Sequence, residues 1–168
     1  RTNVSKFSLS CLPKDEFPII ETKSNNSKRL TIDAKIILNH IDKTKFSISN
    51  EETRYFLNGL FFSVSILKDS KKITFVGTDG HRLATSTSHA NENIEEIPGV
   101  IIPKKTINEL SKLLSESSNE ISLDISPNKI IFYIDNLILI SKLIDGSFPD
   151  YNKVIPKNNL NKLKINRL

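Results

Sequence analysis

The chain has one cysteine and five glycines in 168 residues, and each scarcity removes a class of protein. A lone thiol, Cys11, excludes an internal disulfide and suits a reducing, cytoplasmic setting. The five glycines are scattered at turn positions, so there is no glycine-rich phosphate loop. Paired cysteines, G-x-S-x-G and H-E-x-x-H are all missing. His40, His81 and His89 share no metal-ligand spacing, which argues against a zinc site. The longest purely aliphatic run, Leu137 to Ile140, is strand-sized, and neither a spanning helix nor a leader is recognisable. These gaps point to a non-catalytic protein without metal, cofactor or membrane.

What is present is a moderate basic excess, 24 Lys+Arg against 19 Asp+Glu, for a net charge of +5. That balance permits a polyanionic partner, although solubility alone also accounts for it. The length suffices for one domain with a real core plus flanking pieces. The chain opens on Arg1, and Leu160 to Leu168 reads as the start of an amphipathic helix that reaches no cap. A piece of a longer protein is the expectation.

Apolar periodicity supplies the elements. Lys6 to Leu12 alternates like a strand ended by Pro13, and Glu21 to Lys28 reads as a linker. Asp33 is placed to cap a helix whose residues Ala34, Ile37, Leu38 and Ile41 share one face. Strands are expected at Phe46 to Ser49, Tyr55 to Ile66, Lys72 to Thr78 and His81 to Thr87, with Phe56, Leu60, Phe62, Val64 and Ile66 facing one way. After a polar loop at His89 to Glu96 the plan restarts. Gly99 to Ile102 makes a strand, Pro103 opens a helix carrying Ile107, Leu110 and Leu114, and strands follow at Ile121 to Ile125, Lys129 to Ile134 and Leu137 to Ile144. The fold class is therefore α+β, a pseudo-two-fold repeat of strand, helix and antiparallel strands with both helices on one face of a continuous sheet. Each half closes on an Asp-Gly, Asp79-Gly80 and Asp145-Gly146.

Two features carry chemistry. Asp79-Gly80 lies between strand-like runs and marks a tight reversal. His81 and Arg82 would open the next strand beside Thr78 and Leu83, a mixed rim that suits capture of a peptide better than chemistry on a small molecule. The helices' outer faces hold Lys35, Asn39 and Lys43, then Lys104, Lys105, Asn108 and Lys112, with Asp33, Asp42 and Glu109 as local counter-charge. Side by side they would meet phosphates without reading bases. No arginine-rich helix or aromatic stacking platform argues for sequence readout or single-strand capture.

Arg54-Tyr55-Phe56-Leu57-Asn58-Gly59, Thr78-Asp79-Gly80-His81-Arg82-Leu83-Ala84 and Lys142 to Tyr151 with Val154-Ile155-Pro156, in that order and spacing, resemble the bacterial sliding clamps, the β subunits of DNA polymerase III. The resemblance implies the DNA-clamp fold, with residues 28–157 as the central domain, 1–27 as the end of the preceding domain and linker, and 158–168 as the start of a third. It implies a ring of two chains around duplex DNA, held without sequence preference. It implies a processivity factor that tethers the replicative DNA polymerase, the clamp loader and repair proteins through their short linear motifs. Lys35, Asn39, Lys43, Lys104, Lys105 and Lys112 would face the DNA. The peptide pocket would be walled by Arg54, Leu57, Thr78, Gly80, His81, Leu83, Pro149, Lys153 and Val154, with Arg82 nearby. Leu57, Leu83, Pro149 and Val154 would form an apolar slot; Arg54, Thr78 and Lys153 would bind the partner's backbone or a Gln. Without its ring-closing neighbours this chain is expected to be monomeric and to bind peptides more weakly than an intact clamp. The alternative is a β-rich nucleic-acid-binding or adaptor domain without ring closure.

Overall fold

A computed structural model describes residues 4–18, 27–67, 70–90, 94–117, 119–156, 158, 159, 161 and 163–166. Its first regular strand, β1 (Lys28–Asp33), buries Leu30 and Ile32 between exposed neighbours. Asp33 then caps α1 (Ala34–Thr44), its carboxylate accepting from the Lys35 backbone N–H at 2.7 Å. Ala34, Ile37, His40, Ile41 and Thr44 form the buried stripe of that helix. Three antiparallel strands follow: β2 (Gly59–Leu67), β3 (Ser70–Thr78) and β4 (Leu83–His89). The second half repeats the plan as β5 (Ile97–Pro103), α2 (Lys104–Glu116), β6 (Glu120–Ile125), β7 (Lys129–Ile134) and β8 (Leu137–Lys142). Pro103 stands at the N-cap of α2, where its missing N–H costs nothing, and Ile107, Leu110 and Leu114 are buried.

The two halves exchange their first strands. One sheet runs β1-β6-β7-β8 and the other β4-β3-β2-β5, so the strand before each helix pairs with the strand after the other helix. Thr31 lies opposite Ser122, and Leu60 opposite Ile102. The pseudo-two-fold repeat is thus present in the topology. The sheet is not continuous as expected: two four-stranded sheets abut, linked where the Ile144 N–H donates to the Ile101 carbonyl at 2.9 Å. Both helices lie on the inner face, α1 against β1, β3 and β4, α2 against β2 and β5, and they touch each other. Inner residues of both sheets (Leu60, Phe62, Phe75, Leu123, Phe132) and of both helices fuse into one core. Gly77 admits the end of α1 closely, since a Cβ there would stand 2.6 Å from the Thr44 carbonyl oxygen.

Several expectations give way to tertiary structure. Lys6 to Leu12 has no strand partner and carries no regular structure. Of the expected linker, 21–26 lie outside the described residues, and Lys28 already belongs to β1. Phe46 to Ser49 is not a strand, because a 3-10 turn at Lys45–Ser47 prolongs α1. Tyr55–Leu57 is likewise a 3-10 turn, which removes Phe56 from the strand face, and Ile66 is 48% exposed. His81 and Arg82 sit in the β3–β4 turn and β4 begins at Leu83. The second Asp-Gly is not the counterpart of the first, since it follows β8 instead of joining two strands. Among 161 and 163–166 no helix is formed; Leu160, Lys162, Arg167 and Leu168 lie outside the described residues.

Candidate partner-binding pocket and basic helix faces

The β3–β4 turn is built by its own side chains. One Asp79 carboxylate oxygen accepts from the backbone N–H groups of His81 (3.0 Å) and Arg82 (2.9 Å), and the other accepts from Arg82 Nε at 2.9 Å. The backbone donors of Arg82 and His81, aided by the Arg82 side chain, hold the Asp79 carboxyl down at about 2. Thr78 Oγ1 donates to the Arg82 carbonyl at 2.7 Å and accepts from the Gly80 N–H at 3.1 Å. Gly80 supplies φ +88°, which an L-residue adopts only under strain. The Arg82 guanidinium lies 5.9 Å over the Phe46 ring.

Two other segments close around this turn. Arg54 comes from the loop before β2, fixed by a bidentate pair with Glu51 at 2.8 and 2.7 Å, and its Nη1 faces Gly80. That pairing pushes the Glu51 carboxyl down and the Arg54 guanidinium up. The segment after β8 then crosses the outer face of β2, with Phe148 stacked on Phe61 at 5.0 Å and Tyr151 at 6.0 Å from the same ring. Between the three segments lies an open pocket of about 530 Å³.

Arg54, Leu57, Thr78, Gly80, His81, Arg82, Leu83, Pro149 and Val154 line it. Lys153 does not: its side chain turns out to Asp150 at 3.4 Å and is 81% exposed. Phe56, expected on a strand face, and Asp150 and Tyr151 complete the wall; all three stand inside the motifs but outside the expected set of pocket residues. Leu57 is 3% exposed and forms floor, whereas Leu83 is half-exposed and Val154 open to solvent. A greasy floor with a cationic and hydroxyl rim can hold an apolar side chain while bonding the chain that carries it.

The helix faces are less uniform than their spacing suggests. Lys35, Asn39, Lys43, Lys105 and Lys112 are exposed. Lys104 is half-buried and spends its ammonium on Asn50 Oδ1. Glu109 takes Lys112 at 3.0 Å as expected, but Asp42 pairs with Lys45 and not with Lys43. Lys45 also donates to Ser111 Oγ on α2 at 3.0 Å, a tie between the helices. His40 is buried against the sheet, its ring nitrogens 2.8 Å from the hydroxyls of Ser86 and Ser88 and its ring stacked on Phe75. No cluster of three or more metal-ligating residues occurs among the described residues, nor is any helix there long and apolar enough to cross a membrane.

Two βαβββ units with exchanged first strands, paired helices on one face and a pocket at the rim of one sheet define a duplicated, helix-lined α+β domain. Residues 31–150 match the family model described as DNA polymerase III beta subunit, central domain, and the chain belongs to that family. It is 42% identical over 161 residues to the beta sliding clamp of Caulobacter vibrioides, covering 96% of this chain and 43% of that protein. Against the Escherichia coli K12 beta sliding clamp it is 34% identical over 158 residues, covering 94% and 42%. A crystal structure of a sliding clamp from Bartonella birtlesii bound to griselimycin superposes with a TM-score of 0.80 at 42% identity, covering 89% of this chain and 40% of that one. The Caulobacter crescentus clamp gives a TM-score of 0.82 at 42% identity, covering 88% and 39%. The chain thus spans less than half the length of these relatives.

Proposed function

We propose that this chain supplies the central part of a sliding clamp, a non-catalytic cytoplasmic processivity factor that encircles duplex DNA and tethers the replicative polymerase, the clamp loader and repair proteins. On this reading residues 28–157 form the central domain, 1–27 end the preceding one and 158–168 open the third. The observation that carries it is the preformed pocket of about 530 Å³ in a chain of this family. Arg54, Leu57, Thr78, Gly80, His81, Arg82, Leu83, Pro149 and Val154 bind the partner's short segment. Leu57, Leu83, Pro149 and Val154 take a Leu or Phe side chain, and the Arg54 and Thr78 rim fixes the backbone around it. Lys153, turned to Asp150, stands outside that set.

The helices do different work. Lys35, Asn39, Lys43, Lys105 and Lys112 point outward from adjacent helices and contact phosphates, with Lys104 contributing when it leaves Asn50. Such contacts carry no sequence information and exchange readily with counterions, as a ring that must move along DNA requires. Tethering then needs no chemical step. The capture site is at the rim of the β4-β3-β2-β5 sheet and the lysines are on the helices, so holding a partner does not stop sliding.

The test is fluorescence anisotropy of a labelled synthetic peptide of Gln, Leu and Phe residues titrated with the 168-residue chain. Leu83→Ala removes apolar contact at a half-exposed position and should weaken binding about tenfold. Leu57→Ala should do at least as much, with some loss of stability because that residue is buried. Unchanged binding in both variants defeats the pocket assignment.

A further inference from the structure

The outer face of the β2–β4 sheet holds a second depression, of about 630 Å³, that the function just proposed does not use. Strand register lays its floor in rows. Ser63, Thr74 and Thr87 stand side by side across the three strands, and one step farther Ser65 and Lys72 pair beside His89. The near wall is Pro149, Asp150 and Tyr151, which also wall the pocket, so the two depressions adjoin across these residues. Asp150 is the one carboxylate lining the groove among the described residues, and Lys153 neutralises it at 3.4 Å. Lys72, half-buried at the far end, joins none of the ion pairs among the described residues.

The hydroxyls of the groove floor both donate and accept, so they can bond an extended main chain while Phe61, Phe148 and Ile155 border it. Its polarity changes along its length, from Phe61 and Tyr151 beside the pocket to hydroxyls and then to a cation. From Thr78 at the pocket rim to Lys72 is six residues of β3, roughly 20 Å at about 3.3 Å per residue. An extended segment of similar length reaches from one end to the other.

We propose that this groove receives the stretch of the captured partner that runs on from the pocket in extended form and sets an acidic side chain against Lys72. The assignment rests on the peptide-capture reading and adds to it a partner class: segments with a carboxylate about six residues from their apolar anchor. Charge at that position would then rank partners that share the same anchor.

The probes are the core peptide of Gln, Leu and Phe and four extended versions, with a six-residue Ser/Gly tail ending in Asp or Lys at either terminus. At low salt one Asp-tailed peptide should bind about fivefold tighter than the core, the scale of an exposed ion pair. Lys72→Glu should abolish that gain and leave the core peptide's affinity unchanged, and the matching Lys-tailed peptide should then bind tighter to the variant. Equal affinities of core and tailed peptides overturn the groove while leaving the pocket intact. A gain that survives Lys72→Glu does the same. Failure of the core peptide itself to bind overturns both readings.

Discussion

Replacing Gly80 with alanine probes the link between the turn and the pocket, because this residue carries two separable constraints. Its φ of +88° costs an L-residue about 1–2 kcal/mol, without any change elsewhere. The new Cβ would also stand 2.5 Å from Arg54 Nη1, so the guanidinium must retreat by about 1 Å to reach ordinary contact. Arg54 is not free to do so, since Nε and Nη2 are held at 2.8 and 2.7 Å by Glu51. The backbone share alone lowers Tm by roughly 2–8 °C for a chain of this size. The displaced guanidinium should weaken peptide capture about tenfold, the low end for a lost charged hydrogen bond. Calorimetry and peptide anisotropy on Gly80→Ala, Arg54→Ala and the double variant separate the shares. In the Arg54→Ala background the clash is gone, so Gly80→Ala should cost only the dihedral and no further affinity. Full additivity of both readouts, or a Gly80→Ala variant with unchanged Tm, refutes the argument that this turn sets Arg54.

Three further outcomes follow from the same geometry. Asp79→Asn should loosen the turn, since an amide cannot accept from all three donors. The wild-type carboxyl is held at about 2 against an ordinary 3.8, so its contribution is complete above pH 4 and fades toward pH 2; the Tm gap between the two proteins should close over that interval in acid melts. His40 is kept neutral by burial and then by Lys43, so the unfolded chain binds its proton more readily and stability should fall as pH drops below about 6.5. His40→Gln should flatten that limb of a Tm-versus-pH curve, and an unchanged limb assigns it to other groups. Lys35, Lys43, Lys105 and Lys112 changed together to Glu in the complete clamp should lower DNA retention, with the salt slope of log K reduced by about 0.9 per lost phosphate contact. Peptide anisotropy should stay as it was; loss of both would mean that the helices, not their charges, were damaged.

Local signals located both helices and most strands. Asp33 caps α1 as its type and position suggest, Ile107, Leu110 and Leu114 keep a helical period, and Leu60, Phe62 and Val64 alternate on β2. What failed locally depends on distant partners. Strand β1 has only Leu30 and Ile32 among charged and polar neighbours, and it is a strand because β6, ninety residues on, pairs with it. Lys6 to Leu12 has the better alternation and no partner. Tyr55–Leu57 has strand-forming residues, yet the Leu57 N–H bonds to the Arg54 carbonyl at 2.8 Å and its own carbonyl accepts from Ser49 at 3.1 Å, which closes a turn. The pocket residues were reached through family motifs, and the motif segments converge in space. Lys153 fell out because Asp150, three residues before it, offers a nearer charge; Phe56 entered through the 3-10 turn before β2, and Tyr151 because the chain after β8 lays it beside the β3–β4 turn.

The segment after β8 explains why, among the described residues, the two halves of a duplicated scaffold do not carry matching pockets. By topology the β7–β8 turn is the counterpart of the β3–β4 turn, and it too needs a left-handed residue, Asp135 at φ +49°. Yet Asp135 spends its carboxylate on the Asn119 side chain at 2.8 Å, and it lines none of the depressions described above. The difference is the segment that follows β8. It bonds to β5 at Ile101, stacks Phe148 on Phe61 of β2 and brings Pro149, Tyr151 and Val154 against the first half's turn. No described segment of the first half returns the favour, because the chain after β4 runs directly into β5. A symmetric fold thus becomes a one-sided device when the end of its second half is spent on the rim of its first. Shortening the chain before Phe148 should therefore erase peptide capture and leave the βαβββ core cooperative in thermal melts.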